Sequence, residues 1–221
     1  MNLSIATAAA TSLPAILDES FSSSGSAPAI RRRRQIQDLN FTPADLDRFN
    51  RLLADLGRRS APLDRDQLAT AGRQLSHHGV TAPPACIALR MSRLATVLDM
   101  VADPGWTPSI EAYAVARRVL DYVKSHGTTS PDQIREQARL DDAIVIETAW
   151  PAIAEEIDLY LDFLQLRRFE ADLWHCEATK FAFTRQDWEN DRAIAAALKA
   201  HQQRVRENSY LPPRSGLFRI H

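Results

Sequence analysis

Three groups of side chains in this chain have types and spacings that chemistry uses. Asp132, Asp141 and Asp142 would offer a hard cation three carboxylates if a fold brought them together. Asp172 and His175 stand at the i, i+3 spacing of half a di-iron site. His77 and His78 are adjacent imidazoles. Each group has a simpler explanation. The paired aspartates fall where a helix starts and its macrodipole is positive, and the two histidines fall in a last turn, where the dipole is negative. The second half of a di-iron site, and its two further carboxylates, cannot be identified. No catalytic residue, cofactor or metal is therefore assigned. A Gly-rich phosphate loop, a G-x-S-x-G elbow, an H-E-x-x-H helix and paired C-x-x-C motifs are all missing, and only seven glycines are present to build a phosphate cradle. The reading leans away from an enzyme.

Two charged surfaces remain as candidates for binding. Glu147, Glu155, Asp158 and Asp162, followed by Gln165, recur at spacings of three, four and eight, which aligns them along one side of a helix. They form a candidate protein-contact stripe, or else the solvated back of that helix. Arg31, Arg32, Arg33 and Arg34 form the only dense basic run. They are the candidate contact for phosphate, nucleic acid or an anionic membrane surface. No aromatic residue is interleaved for base stacking, and the net charge is −1, so nucleic acid is disfavoured.

The elements that must position these residues are helices. Residues 140–169 read as one long helix, with Ile146, Ile153, Ile157, Tyr160 and Leu164 on one flank and Leu159, Phe163 and Leu166 on the next. More than half its circumference asks for burial, so it is central. Pro151 should bend it or break its ladder near Glu147. Before it, Thr42-Pro43 caps a helix with Leu46, Phe49, Leu53 and Leu56 inward, ending at Gly57. Asp64 with Gln67 caps a second. Pro83-Pro84 opens a third, with Ile87, Met91, Leu94, Leu98 and Val101 inward, and Asp103-Pro104-Gly105 breaks it. Thr107-Pro108 caps a fourth, with Ile110, Tyr113, Leu120 and Val123 inward, and Ser130-Pro131 with Gln133 opens a short helix to Ala138. Beyond the long helix, Trp174, Phe181 and Phe183 should pack the chain back. Thr184 with Asp187 caps a last helix, weakly amphipathic through Trp188, Ile194, Leu198 and Val205. No stretch alternates with period two, so the class is all-α: six to seven helices around the long one.

Residues 1–37 read as a disordered leader carrying the basic run, residues 38–208 as one helical domain, and residues 209–221 as a Pro-containing tail. With 45% hydrophobic and 25% charged residues the composition is that of a soluble globular protein. Two cysteines are too few for a disulfide framework, and no apolar run is long enough to span a membrane.

The segment Pro131-Asp132, then Leu140-Asp141-Asp142-Ala143-Ile144-Val145, with Asp103-Pro104 upstream, resembles the signature of the YkvA family. That resemblance covers residues 103–150 and implies a bacterial helical domain, often at or near membranes, with no assigned reaction. It departs from the family at His126, Thr128 and Ala138. Residues 117–150 also fit a helix-turn-helix, with Ile134, Leu140, Val145 and Ala149 at its core positions. The helix that would read bases presents Asp141, Asp142 and Glu147, which repel a duplex. The expected function is a non-enzymatic protein-interaction or regulatory protein, cytoplasmic, with an unidentified protein partner and undefined oligomeric state. The alternatives are a DNA-binding regulator using residues 117–150 with Arg31–Arg34, and a secreted effector whose leader is an export signal.

Overall fold

A computed structural model describes residues 11–18, 42–76, 84–126 and 139–209. Among the described residues every regular element is helical. A 3-10 turn spans Ala15–Leu17, followed by α1 (Pro43–Asp55), α2 (Arg65–Ser76), α3 (Ala85–Ala102), α4 (Ile110–His126), α5 (Leu140–Leu173) and α6 (Arg185–Ser209). The all-α class and the long helix are as expected. Arg31–Arg34, His77, His78, the short helix assigned to residues 130–138 and the tail from Tyr210 lie outside the described residues. The chain divides into two compact units, Met1–Ala102 with Pro108–Asp158, and Asp103–Thr107 with Leu159–His221, where the sequence reading draws a single domain. α5 contributes residues to both.

In the first unit the helix ends follow the capping chemistry. Asp45 N donates to Thr42 Oγ1 at 3.2 Å and Thr42 N to Asp45 Oδ2 at 3.3 Å, a reciprocal box with Pro43 in the first turn. Gly57 ends α1 with φ +100°, a conformation that disfavours a Cβ. There Arg58 N donates to Leu53 O at 2.8 Å and Gly57 N to Ala54 O at 3.0 Å, the paired bonds of a Schellman cap. α2 opens on a second box, with Gln67 N donating to Asp64 Oδ1 at 2.7 Å and Asp64 N to Gln67 Oε1 at 2.9 Å.

Two inward faces differ from expectation. On α3 the buried residues are Cys86, Ile87, Arg90, Leu94, Val97 and Met100, whereas Leu98 is 40% exposed. The apolar periodicity misleads because an arginine holds a position on the buried face. α4 starts at Ile110 rather than after Thr107, with Ser109 as its cap: Ala112 N donates to Ser109 Oγ at 3.3 Å. Its inward face is Ala112, Ala116, Val119, Leu120 and Tyr122, and Ile110 is 83% exposed. α3 packs on α4, and alanines at two inward positions suit a close approach of backbones.

α5 is buried nearly all round at its start. Ala143, Ile144, Val145 and Ile146 are consecutive and all buried, so no side of that turn faces water. The helix continues through Pro151, which has no N–H to donate to Glu147 O, so the ladder lacks that one bond as expected but the helix does not end there. Pro151 is exposed, and in the preceding turn Thr148 Oγ1 donates to Ile144 O at 2.8 Å.

The second unit is built on the turn at residues 103–107. Trp106 is buried against Tyr160, Phe163 and Trp188, with ring centroids 5.8, 5.1 and 5.5 Å away, and Phe183 stacks on Phe163 at 5.6 Å. Phe181 stacks on Phe183, but Trp174, expected to pack as well, is 73% exposed. Gly105 is required by space, since a Cβ there would lie 2.6 Å from Phe183 O. Its carbonyl accepts from Arg185 N at 2.8 Å, which ties the turn to the start of α6. Thr184 and Asp187 cap that helix as expected, with Thr184 N donating to Asp187 Oδ2 at 2.9 Å.

Asp103 gathers four donors. Its carboxylate accepts from Gly105 N at 2.9 Å, Tyr160 Oη at 3.1 Å, and Arg167 Nη1 and Nη2 at 3.0 and 2.9 Å. Burial pushes its pKa up, but the hydrogen bond from Arg167 and those from Gly105 and Tyr160 outweigh burial and hold it below the usual carboxylate range. Its stabilising effect is therefore complete above the ordinary carboxylate pKa and is lost as pH falls through the lowered one. Asp103→Asn is expected to cost about 3 kcal/mol at neutral pH, the scale for breaking a buried pair. Urea unfolding followed by tryptophan fluorescence at pH 7 and pH 3 should show that difference shrinking at the lower pH.

Candidate functional site

The acidic stripe does not present a uniform surface. Glu147 Oε2 accepts from Arg90 Nε and from Arg93 Nη1, both at 3.0 Å. The Arg93 guanidinium in turn lies 4.3 Å above the Trp150 ring. Asp162 Oδ2 accepts from Trp188 Nε1 and Arg192 Nε, both at 2.7 Å, and Arg192 Nη2 closes a second bond to Oδ1. The two ends of the stripe are thus internal partners for arginines, and only Glu155 and Asp158 are exposed and without an ion pair among the described residues. As a contact surface the stripe is reduced to those two.

Arg90 is the charged residue that the sequence reading passed over. Its side chain is only 5% exposed. Besides Glu147 it reaches Cys86 O at 3.1 Å and the carbonyl of Thr11. The sequence does hold one sign of it. Ile87, Arg90, Leu94 and Val97 share helical spacing, so an arginine sits in an apolar row and needs acceptors.

Those acceptors come in part from residues 11–18, which the sequence reading placed in a disordered leader. The segment lies on the first unit instead. Leu17 is 3% exposed, and the 3-10 turn carrying it packs on α2. Gln67 Nε2 donates to Ile16 O at 3.1 Å, and Arg58 Nη2 donates to Leu17 O. The Schellman cap at Gly57 sets where Arg58 starts, and the capping box at Asp64 fixes Gln67, so local helix-end chemistry positions both donors. Arg58 Nε is buried and has no hydrogen-bond partner among the described residues. Beside the segment a cavity of about 270 Å³ is lined by Ser12, Arg58, Arg90, Ile144, Glu147 and Thr148 among others.

Of the candidate metal groups, Asp141, Asp142, Asp172 and His175 are among the described residues, and they join no cluster of three metal-ligating side chains there. Asp141 Oδ2 accepts from Tyr122 Oη at 2.9 Å, and that contact, together with burial as the larger cause, pushes the Tyr122 hydroxyl pKa well up. Asp132 lies outside the described residues. Asp172 and His175 are exposed at the end of α5, where His175 takes φ 54° and Cys176 N donates to Ala171 O at 3.0 Å. Their i, i+3 spacing is that of a helix cap. Among the described residues no three His, Cys, Asp or Glu side chains converge on a metal position, and no helix is long and apolar enough to cross a membrane.

One further surface is apolar. Beyond Asp191 every described side chain of α6 through Glu207 is exposed, and Ile194, Leu198 and Val205 are 59, 57 and 49% exposed. They fall four and seven residues apart, which aligns them on one side of the helix.

Comparison of the chain with protein-family models, with curated proteins and with solved structures finds no match in any of the three.

Glu147→Ala and Asp162→Ala are each expected to lower stability by about 2 kcal/mol, the scale of hydrogen bonds to charged groups. Glu155→Gln and Asp158→Asn should stay within about 0.5 kcal/mol of wild type. Urea denaturation of the four variants checks the division; equal losses at all four positions would mean that the stripe acts as one unit.

Proposed function

We propose that the protein is a non-enzymatic interaction or regulatory protein and that the outer side of α6 is its main contact surface. The observation that carries this reading is the exposure of that helix. Trp188 and the Asp162 contacts anchor its first turns, and everything from Arg192 to Glu207 is exposed. Most helical stability in proteins comes from packing an apolar face rather than from intrinsic propensity. The pairs Arg185–Glu189 and Gln203–Glu207 add only tenths of a kcal/mol each, roughly 0.2–0.5. A helix that keeps Ile194, Leu198 and Val205 in one exposed row is completed by another apolar surface. Glu155 and Asp158 supply a second, acidic contact on α5.

Arg90 and Asp103, two buried charged groups, are held in structural pairs. The YkvA-like reading of residues 103–150 adds a helical domain and no reaction. It rests on the residue pattern of that segment.

The test is purification of the tagged chain from its native host beside an Ile194→Asp, Leu198→Asp variant, whose fold is checked by circular dichroism. A stoichiometric protein that accompanies wild type and is lost from the variant is the expected result. Nucleic acid carried by both forms, with no stoichiometric protein, would overturn the reading in favour of a DNA-binding regulator. That alternative would then be tested by the salt dependence of binding and by removal of Arg31–Arg34.

A further inference from the structure

We infer that the protein self-associates through α6, two copies of the helix lying side by side and running in opposite directions. The inference rests on α6 being a contact surface and names what it contacts, a second copy of this chain. The exposed row has the spacing of a two-stranded seam. Ile194, Leu198, His201 and Val205 follow one another at four, three and four residues, the alternation of a and d positions in a heptad, and Asp191 continues the same side upstream. Side chains from Arg192 to Glu207 are exposed, the row included. Ala195 and Ala197 border the seam at one end, Gln202 and Arg204 at the other. Small borders let a second helix axis come close.

Charge selects both the occupant and its direction. The row starts on an acid, Asp191, with Glu189 just before it, and ends among the cations Arg204 and Arg206. The two charges that break this order have partners within the chain. Arg192 donates to Asp162, and Glu207 accepts from Gln203. In a parallel pair Asp191 would face its own copy, and so would the arginines, which sets like charges together. Turned end for end, Ile194 meets Val205 of the partner subunit and Leu198 meets His201 of the partner subunit. Asp191 then comes within about one turn of Arg204 of the partner subunit. The row thus carries its own complement. A two-fold axis between Lys199 and Ala200 satisfies both ends at once, and such an isologous contact closes at two copies. The seam spans only about two heptads, and one of its positions is a histidine, so the association is concentration-dependent and not obligate.

The test is sedimentation velocity of the full chain from about 1 μM to about 1 mM. Wild type is expected to pass from monomer to dimer over that range, and Leu198→Asp to stay monomeric with an unchanged circular dichroism spectrum. Asp191→Arg by itself, and Arg204→Glu with Arg206→Glu, should each weaken the dimer at least about threefold, the scale of exposed ion pairs made twice. Combining the two sets should recover the wild-type dissociation constant, and no recovery would overturn the charge pairing. Direction is read from disulfide formation in a Cys176→Ser background, which removes the exposed thiol. A mixture of an Ile194→Cys chain and a Val205→Cys chain should cross-link faster than either chain does alone. Faster joining of the Ile194→Cys chain to itself would overturn the antiparallel arrangement. A wild type that stays monomeric at the highest concentration overturns self-association, and the contact reading of α6 is then decided separately by whether a different protein is lost from the Ile194→Asp, Leu198→Asp variant. A dimer that persists in Leu198→Asp lies elsewhere on the chain and overturns the inference as well.

Discussion

A guanidinium almost closed to water must be surrounded by acceptors, and Arg90, its side chain 5% exposed, imposes that constraint on the first unit. Glu147 answers from α5, Cys86 O from the preceding turn of α3, and Thr11 O from far upstream in the chain. Removing the charge would free all three to be something else. The consequence is that a helix face which looks apolar is organised by a cation, and that the long helix must offer a carboxylate at that level. The second unit solves the inverse problem. There the buried ion is a carboxylate, Asp103, and the donors come from its own turn and from Tyr160 and Arg167 on α5. Each unit therefore takes from α5 one group of the charge its own buried ion lacks.

This division explains why the acidic stripe misleads when it is read as a single surface. Helical spacing reports direction only. It cannot distinguish a carboxylate that meets Arg90 and Arg93 from one that meets water, and Glu147 and Glu155 look equivalent in the sequence. The difference lies in residues more than fifty positions away, on α3. The same holds for Asp162, whose partners arrive on α6.

What was legible in the sequence is what depends on neighbours a few residues away. The boxes at Thr42, Asp64 and Thr184 form as their residue types require, and so do the stop at Gly57 and the turn at Asp103-Pro104-Gly105. The inward rows of α1 and α5 follow from periodicity, although Glu156, 7% exposed, sits among the buried positions of α5. α3 and α4 resisted for identifiable reasons. Arg90 breaks one apolar row, and on α4 alanines rather than the large Ile110 and Tyr113 face inward, so a rule that seeks bulky residues rotates the helix wrongly. The binding of residues 11–18 was invisible for a third reason. The contacts are made by side chains to main-chain carbonyls, which every residue possesses, so the segment's own composition carries almost no sign of them.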